Sequence, residues 1–206
     1  LLNALRGYEI KLVDPGSAEG WGWGKGIGLD IDDPIPGYNL TPRELIRALC
    51  KVNEMLNLPH SIHVHTNKLG FPGNCETLLK TMDCVSDLAS LNDKRQIIHI
   101  THVQFSAFTG DSWHTLGSGA DKIAKYVNTH RHVSIDLGQI TFGDTTTMTA
   151  DAPFEFVLYH LQPWKWSNVD VEAETAAGIV PYIYRKKTYA NAVQWCIGLE
   201  TALLVQ

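Results

Sequence analysis

Nine histidines mark this chain of 206 residues, and five of them fall between His60 and His102. In Ser61-Ile-His-Val-His65, His63 and His65 stand two apart on an expected strand, so both side chains share one face. They lie at the strand's C-terminal end, where parallel α/β folds gather their active sites. His99 and His102 stand three apart on the next expected strand and therefore face opposite sides unless a bulge intervenes. Two successive parallel strands that each deliver an imidazole to one end form the pattern of a histidine-bound metal. The plainer alternative is a hydrogen-bonded core histidine. His114, His130, His132 and His160 fall in loop-like or helix-end contexts and are assigned no role.

Lys11 sits in an apolar strand beside Ile10, Leu12 and Val13, where a long cation is costly unless paired or modified. One reading is an edge-strand lysine whose ammonium snorkels to water. The other is an amine carboxylated by CO2, whose carbamate can bridge two divalent metals. Other motif classes find little support. The Gly20–Gly28 segment matches neither a GxGxxG fingerprint nor a P-loop and reads as an ordered loop carrying two indoles. The Thr145–Pro153 run, with Asp151, reads as a loop with local side-chain caps.

Positioning such groups requires alternating elements, and the chain supplies them. Strands are expected at residues 8–13, 61–65, 96–105 and 132–137. Thr41-Pro42-Arg43-Glu44 is a capping-box helix start, with Leu45, Ile46, Leu49, Val52, Met55 and Leu56 as its apolar stripe. Further helices are expected from Asn74 to about Leu91, over Ala120–Thr129, near Asn168–Ala176, and over Ala190–Val205. Strand, loop and helix in repetition indicate βα units, a parallel sheet and one α/β domain over residues 1–206.

Composition narrows the function. Seventeen Lys and Arg against 22 Asp and Glu give a net charge of -5, against a nucleic-acid or anionic-membrane binder. No apolar run approaches the roughly 20 residues that span a bilayer. Four scattered cysteines without a CxxC pair suit a reducing, cytoplasmic compartment.

Several segments together resemble a known family. They are Lys11-Leu-Val-Asp-Pro-Gly16, Trp21-Gly-Trp-Gly24, Asp33-Pro-Ile-Pro36, Leu58-Pro-His-Ser-Ile-His-Val-His65 and Leu69-Gly-Phe-Pro-Gly-Asn74, followed by Ile100-Thr-His-Val-Gln-Phe105, Met148-Thr-Ala-Asp151, Trp166-Ser-Asn168, Gly178-Ile-Val-Pro181 and Asn191-Ala-Val-Gln-Trp195. In this order they resemble the catalytic A subunits of formylmethanofuran dehydrogenases, which are amidohydrolases. The bacterial formyltransferase/hydrolase complexes carry a homologous subunit. The resemblance implies a metal-dependent (β/α)8 amidohydrolase barrel. This chain would be an internal fragment of it, incomplete at both ends and inactive alone. The family's early His-x-His would precede Lys11, and its last aspartate, the general acid/base, would follow Gln206.

The resemblance further implies two zinc ions bridged by carboxylated Lys11, with one histidine from each of the next two strands. His65 and His99 match best, while His63 and His102 remain alternatives. Methanofuran would be the C1-carrier substrate, its formyl amide interconverted with formate as the first step of CO2 reduction or its reverse. Asn67 and Asp151, near strand ends, are candidates for holding the formyl group or the carrier's polar tail. The partners implied are the other subunits of the complex. Two other readings are a metal-free scaffold piece and a cyclic amidohydrolase of the dihydroorotase sort. The second leaves the Trp-Gly-Trp-Gly and Pro-Gly-Asn segments unexplained.

Overall fold

The computed structural model describes residues 7–16, 28–69, 71–91, 95–112, 115–138 and 187–206. The helix expected near Asn168–Ala176, the Thr145–Pro153 run with Asp151, and residues 20–27 of the glycine–tryptophan loop lie outside the described residues.

Four strands, β1 (Lys11–Val13), β2 (Ile62–His65), β3 (Ile98–Ile100) and β6 (Val133–Ile135), form one parallel sheet in the order of the chain. Helices α1 (Pro42–Met55), α2 (Asn74–Asp83) and α3 (Ala120–Thr129) make the crossovers. Parallel strands taken in sequential order wind one way, so right-handed crossovers stack their helices against a single face. The register shows which one. Leu12, Val64, Ile100 and Ile135 align across the strands, as do Ile62, Ile98 and Val133, and these side chains pack with Ile46, Cys50, Leu78, Met82 and Ile123 of the helices. The opposite face carries Lys11, His63, His99 and Ser134 in one aligned row. This α/β arrangement is consistent with part of a barrel whose helices lie outside and whose polar side chains point inward.

Helix α1 begins as its sequence requires. The Thr41 backbone N–H donates to Glu44 Oε2 at 2.7 Å, and the Glu44 N–H donates back to Thr41 Oγ1 at 3.3 Å. Thr41→Ala is expected to lower stability by about 1 kcal/mol, read as a shift in the urea midpoint at unchanged slope. The apolar stripe, however, is displaced. Ile46, Cys50 and Asn53 face the sheet, whereas Val52, Met55 and Leu56 are exposed. Asn53 faces inward because its side-chain N–H donates to the His60 carbonyl at 2.9 Å, fastening the helix end to the entry of β2.

The helix expected to run from Asn74 to Leu91 is two elements. After α2, residues Ser86–Leu91 continue as a 3-10 helix. The Arg47 guanidinium takes the Cys84 carbonyl at the break and grips Asp87 at 2.6 and 2.8 Å. The expected strand over 96–105 is also shorter, ending at Ile100. A 3-10 turn (Val103–Phe105) then leads to the hairpin of β4 (Phe108–Thr109) and β5 (Gly117–Ser118). The last helix, α4 (Lys187–Leu204), packs against α3 and that turn, with Ile197 in the core.

His132, given no role by the sequence, is a buried structural residue whose Nε2–H donates to the Met82 carbonyl at 2.9 Å. Burial lowers its proton affinity below the usual 6.5 and His130 adds to this, while the Met82 bond and Asp83 oppose it. The Tyr126 ring lies edge-on beside it. The unfolded chain therefore takes a proton that the folded one resists. This contribution to stability is whole above about pH 6.5 and declines as pH falls below it. Urea midpoints should fall between pH 7 and 5, and less steeply in His132→Gln, which keeps an N–H donor but cannot titrate.

Candidate functional site

The site lies on the polar face, at the C-terminal ends of β1, β2, β3 and β6, and is layered. In the deeper layer the His63 and His99 rings lie 4.3 Å apart between centroids. Nearer the strand ends, His65 and His102 lie 4.9 Å apart. His65 thus meets His102, and His63 meets His99.

A backbone turn produces this pairing. A strand running on through residue 102 would turn His99 and His102 to opposite faces. Instead His102 takes a left-handed conformation, φ 55° and ψ 53°. Asp136 Oδ1 accepts the His102 backbone N–H at 2.6 Å and its Nδ1 at 2.8 Å. The Val103 N–H donates to the Asp136 carbonyl at 3.1 Å. Buried Gln104 clasps Gly138 from both sides, Nε2 to the carbonyl at 2.7 Å and the Gly138 N–H to Oε1 at 3.1 Å. A Cβ on Gly138 would stand 2.8 Å from Gln104 Nε2 and 3.0 Å from His102 Nδ1, so a larger residue there would force the clasp and the His102 ring to shift.

The imidazoles differ in what they have free. His99 is engaged at both nitrogens, Nδ1 with Ser134 Oγ at 2.8 Å and Nε2 with Asp136 Oδ2 at 3.1 Å. His63 Nε2 lies 3.0 Å from Glu9 Oε2. Burial lowers its proton affinity, with His99 and Lys11 adding to the effect while Glu9 and Asp136 oppose it. His65 is different: its Nε2 is buried with no partner among the described residues. Burial first, then the charges of Lys11 and His102, hold its pKa down to about 4, leaving a neutral ring with a free lone pair at pH 7. Thr66 Oγ1, Asn67 Oδ1 and Thr101 Oγ1 at the same strand ends are likewise buried and unpartnered. Burial opposes the charge on Asp136, but the His102 N–H and the two rings outweigh it and keep the group an anion.

Lys11 follows the first of its two sequence readings. It begins an edge strand and is exposed rather than buried in an apolar strand, and it aligns with His63. Its charge reaches both His63 and His65. Asn67 is buried, and its Nδ2 donates to the Pro15 carbonyl at 2.9 Å, joining the loops after β1 and β2. Asn74, from the Pro-Gly-Asn segment, is a structural hub. It donates to the Lys68 and Phe105 carbonyls at 2.9 and 2.8 Å and accepts the Phe108 N–H at 2.8 Å.

Three polar residues of the site escaped sequence reading: Glu9, Ser134 and Asp136. Period two could have found them, because Glu9-x-Lys11 and Ser134-x-Asp136 repeat the pattern of His63-x-His65. Neutral imidazoles with a lysine and a carboxylate are a zinc-type donor set, and the orphaned His65 Nε2 is the vertex that fits a metal. Among the described residues no three His, Cys, Asp or Glu side chains form a group that could hold a metal ion. Among the same residues no helix is long and apolar enough to cross a membrane.

Comparison with known proteins agrees with the fold. The chain is 50% identical to protein FwdA of Methanocaldococcus jannaschii over 98% of its length, covering 36% of that protein. It is 33% identical to the A subunit of the formyltransferase/hydrolase complex of Methylorubrum extorquens over 97% of its length, again covering 36% of the relative. The crystal structure of the M. extorquens formyltransferase/hydrolase complex with methylofuran superposes with a TM-score of 0.73 at 30% identity. That match covers all of this chain and 36% of the matched one. The chain therefore spans about a third of the length of these relatives. The amidohydrolase family profile matches residues 1–206, and the chain belongs to the amidohydrolase family.

Proposed function

We propose that the full-length protein is the catalytic amidohydrolase subunit of a multi-subunit complex that interconverts formylmethanofuran with formate and methanofuran. The reaction would take place at a dinuclear zinc site to which this chain contributes carboxylated Lys11, His65 and a histidine from the end of β3. The free Nε2 of His65, buried beside His102 at the strand ends, carries the reading. The partner ring favours His102 over His99 as the second imidazole, since both nitrogens of His99 are already engaged. The relatives' names, and the furan cofactor bound in the solved complex, support the substrate class.

A bound zinc pair would supply Lewis-acid polarisation of the formyl oxygen and a water acidic enough to act as nucleophile at neutral pH. The chain's own residues supply the rest. Lys11, once its ammonium has given up one proton and the free Nζ has added CO2 with release of a second, presents an anion where an ammonium would repel cations. His65 stays neutral well below pH 7, so protons do not compete for its lone pair. Thr66, Asn67 and Thr101 offer unpartnered buried oxygens for a polar substrate or ordered water. Asp136 holds His99 and His102 in fixed orientation.

The test is to express the full-length subunit with its partners, quantify zinc, and assay formate release from formylmethanofuran against hydrolysis of a cyclic amide. Zinc-dependent formate release supports the reading. Turnover of the cyclic amide alone overturns it.

A further inference from the structure

We propose that Asp136 is a positioning residue that fixes His102 with its proton on Nδ1 and its Nε2 lone pair turned to the site shared with His65. The role of that lone pair as a ligand rests on the zinc reading above; the fixed tautomer does not. A carboxylate only accepts, so the 2.8 Å contact from His102 Nδ1 to Oδ1 requires a proton on Nδ1. Nε2 is then bare in the neutral ring. The same oxygen accepts the His102 backbone N–H at 2.6 Å, so one atom sets both the tautomer and the turn that aims the ring.

The turn makes a purely structural role a poor account of these bonds. A non-glycine residue in the left-handed region costs about 1–3 kcal/mol and persists only where its surroundings over-determine it. Here they do, through Asp136 Oδ1, the Val103–Asp136 backbone bond and the Gln104–Gly138 clasp. An ordinary strand would have avoided the strain but turned His102 away from His65. Oδ2 meanwhile accepts from His99 Nε2, and the Nδ1 of that ring meets the Ser134 hydroxyl. His99 is thereby held at both ring nitrogens beside His63. A histidine that gives its other N–H to a carboxylate is the usual outer support of a metal ligand.

The experiment uses the full-length subunit labelled with 15N-histidine and stripped of metal, the His102 signals being assigned by their loss in His102→Asn. The expected spectrum shows protonated Nδ1 and bare Nε2. Asp136→Ala should mix the tautomers and weaken zinc affinity, measured by chelator competition, by about 10–100-fold. Asp136→Asn keeps an acceptor oxygen in place and should restore the tautomer and most of the affinity. Three results would overturn the proposal: an Nε2–H tautomer in the unsubstituted subunit, an unchanged tautomer in Asp136→Ala, or an asparagine variant as defective as alanine. The spectrum of the unsubstituted subunit keeps the test decisive if Asp136→Ala does not fold. An Nδ1–H tautomer in a subunit that binds no zinc would support the positioning role and overturn the zinc reading instead.

Discussion

Lys11→Ala in the full-length subunit is expected to remove zinc and lower formyl-amide hydrolysis by about a thousandfold, some 4 kcal/mol of transition-state stabilisation. The geometry makes this a clean test. Lys11 stands on the polar face of the sheet, opposite the apolar core, so its truncation should leave stability within about 0.5 kcal/mol. As an ammonium it adds positive charge next to His63 and His65, lowering the proton affinity of both. The same charge would repel a divalent cation. Carboxylation reverses its sign from cation to anion while keeping the chain length that reaches the site. Two variants separate this from a merely structural lysine. Lys11→Arg keeps length and charge but cannot form a carbamate, and should be as inactive as alanine. Lys11→Ala with added short-chain carboxylate should recover part of both zinc and activity. Full zinc retention in Lys11→Ala would sink the carbamate assignment.

The second large effect separates two histidines on one strand. His65→Ala should strip zinc and reduce turnover at least a hundredfold, whereas His63→Ala should keep most of the metal and lose about tenfold. Both side chains point to the same face, but their nitrogens are committed differently. His63 has its Nε2 3.0 Å from Glu9 and its ring tilted against His99, so it supports the layer beneath the strand ends. His65 keeps Nε2 buried and unpartnered beside His102. A buried polar atom with no partner costs free energy, which a ligand at that position relieves. Zinc quantified per subunit in the two purified variants is the measurement. Equal losses would remove the ranking, and loss in His63→Ala alone would reverse it.

Much of the architecture was legible in the residues themselves. Period-two apolar alternation located β1, β2, β3 and β6, and α3 occupies the span its stripe marks. The capping box set the first residue of α1, because Thr41 and Glu44 satisfy each other's backbone N–H groups locally. The pairing of His63 with His65 on one face follows from strand geometry alone. All these are short-range consequences of backbone periodicity, which a sequence states directly.

Only tertiary structure decided the rest. Whether Val52 or Asn53 faces inward depends on the His60 carbonyl, seven residues on, and Asn53 reaches it. Whether Asn74 to Leu91 is one helix depends on Arg47, which takes the Cys84 carbonyl from a different helix. The exposure of Lys11 depends on its place at the sheet edge, which no local pattern reveals. The site turns on the same kind of contact. Local β propensity at Ile97–Phe105 favours a continuous strand and would have parted His99 from His102. Asp136, 34 residues away in the chain, captures the His102 N–H and ring and turns that histidine toward His65. Sequence alone determined which residue types could perform the chemistry and which strands carry them. Which imidazole meets which was decided by hydrogen bonds between strands, because their strength depends on distances that only the folded sheet sets.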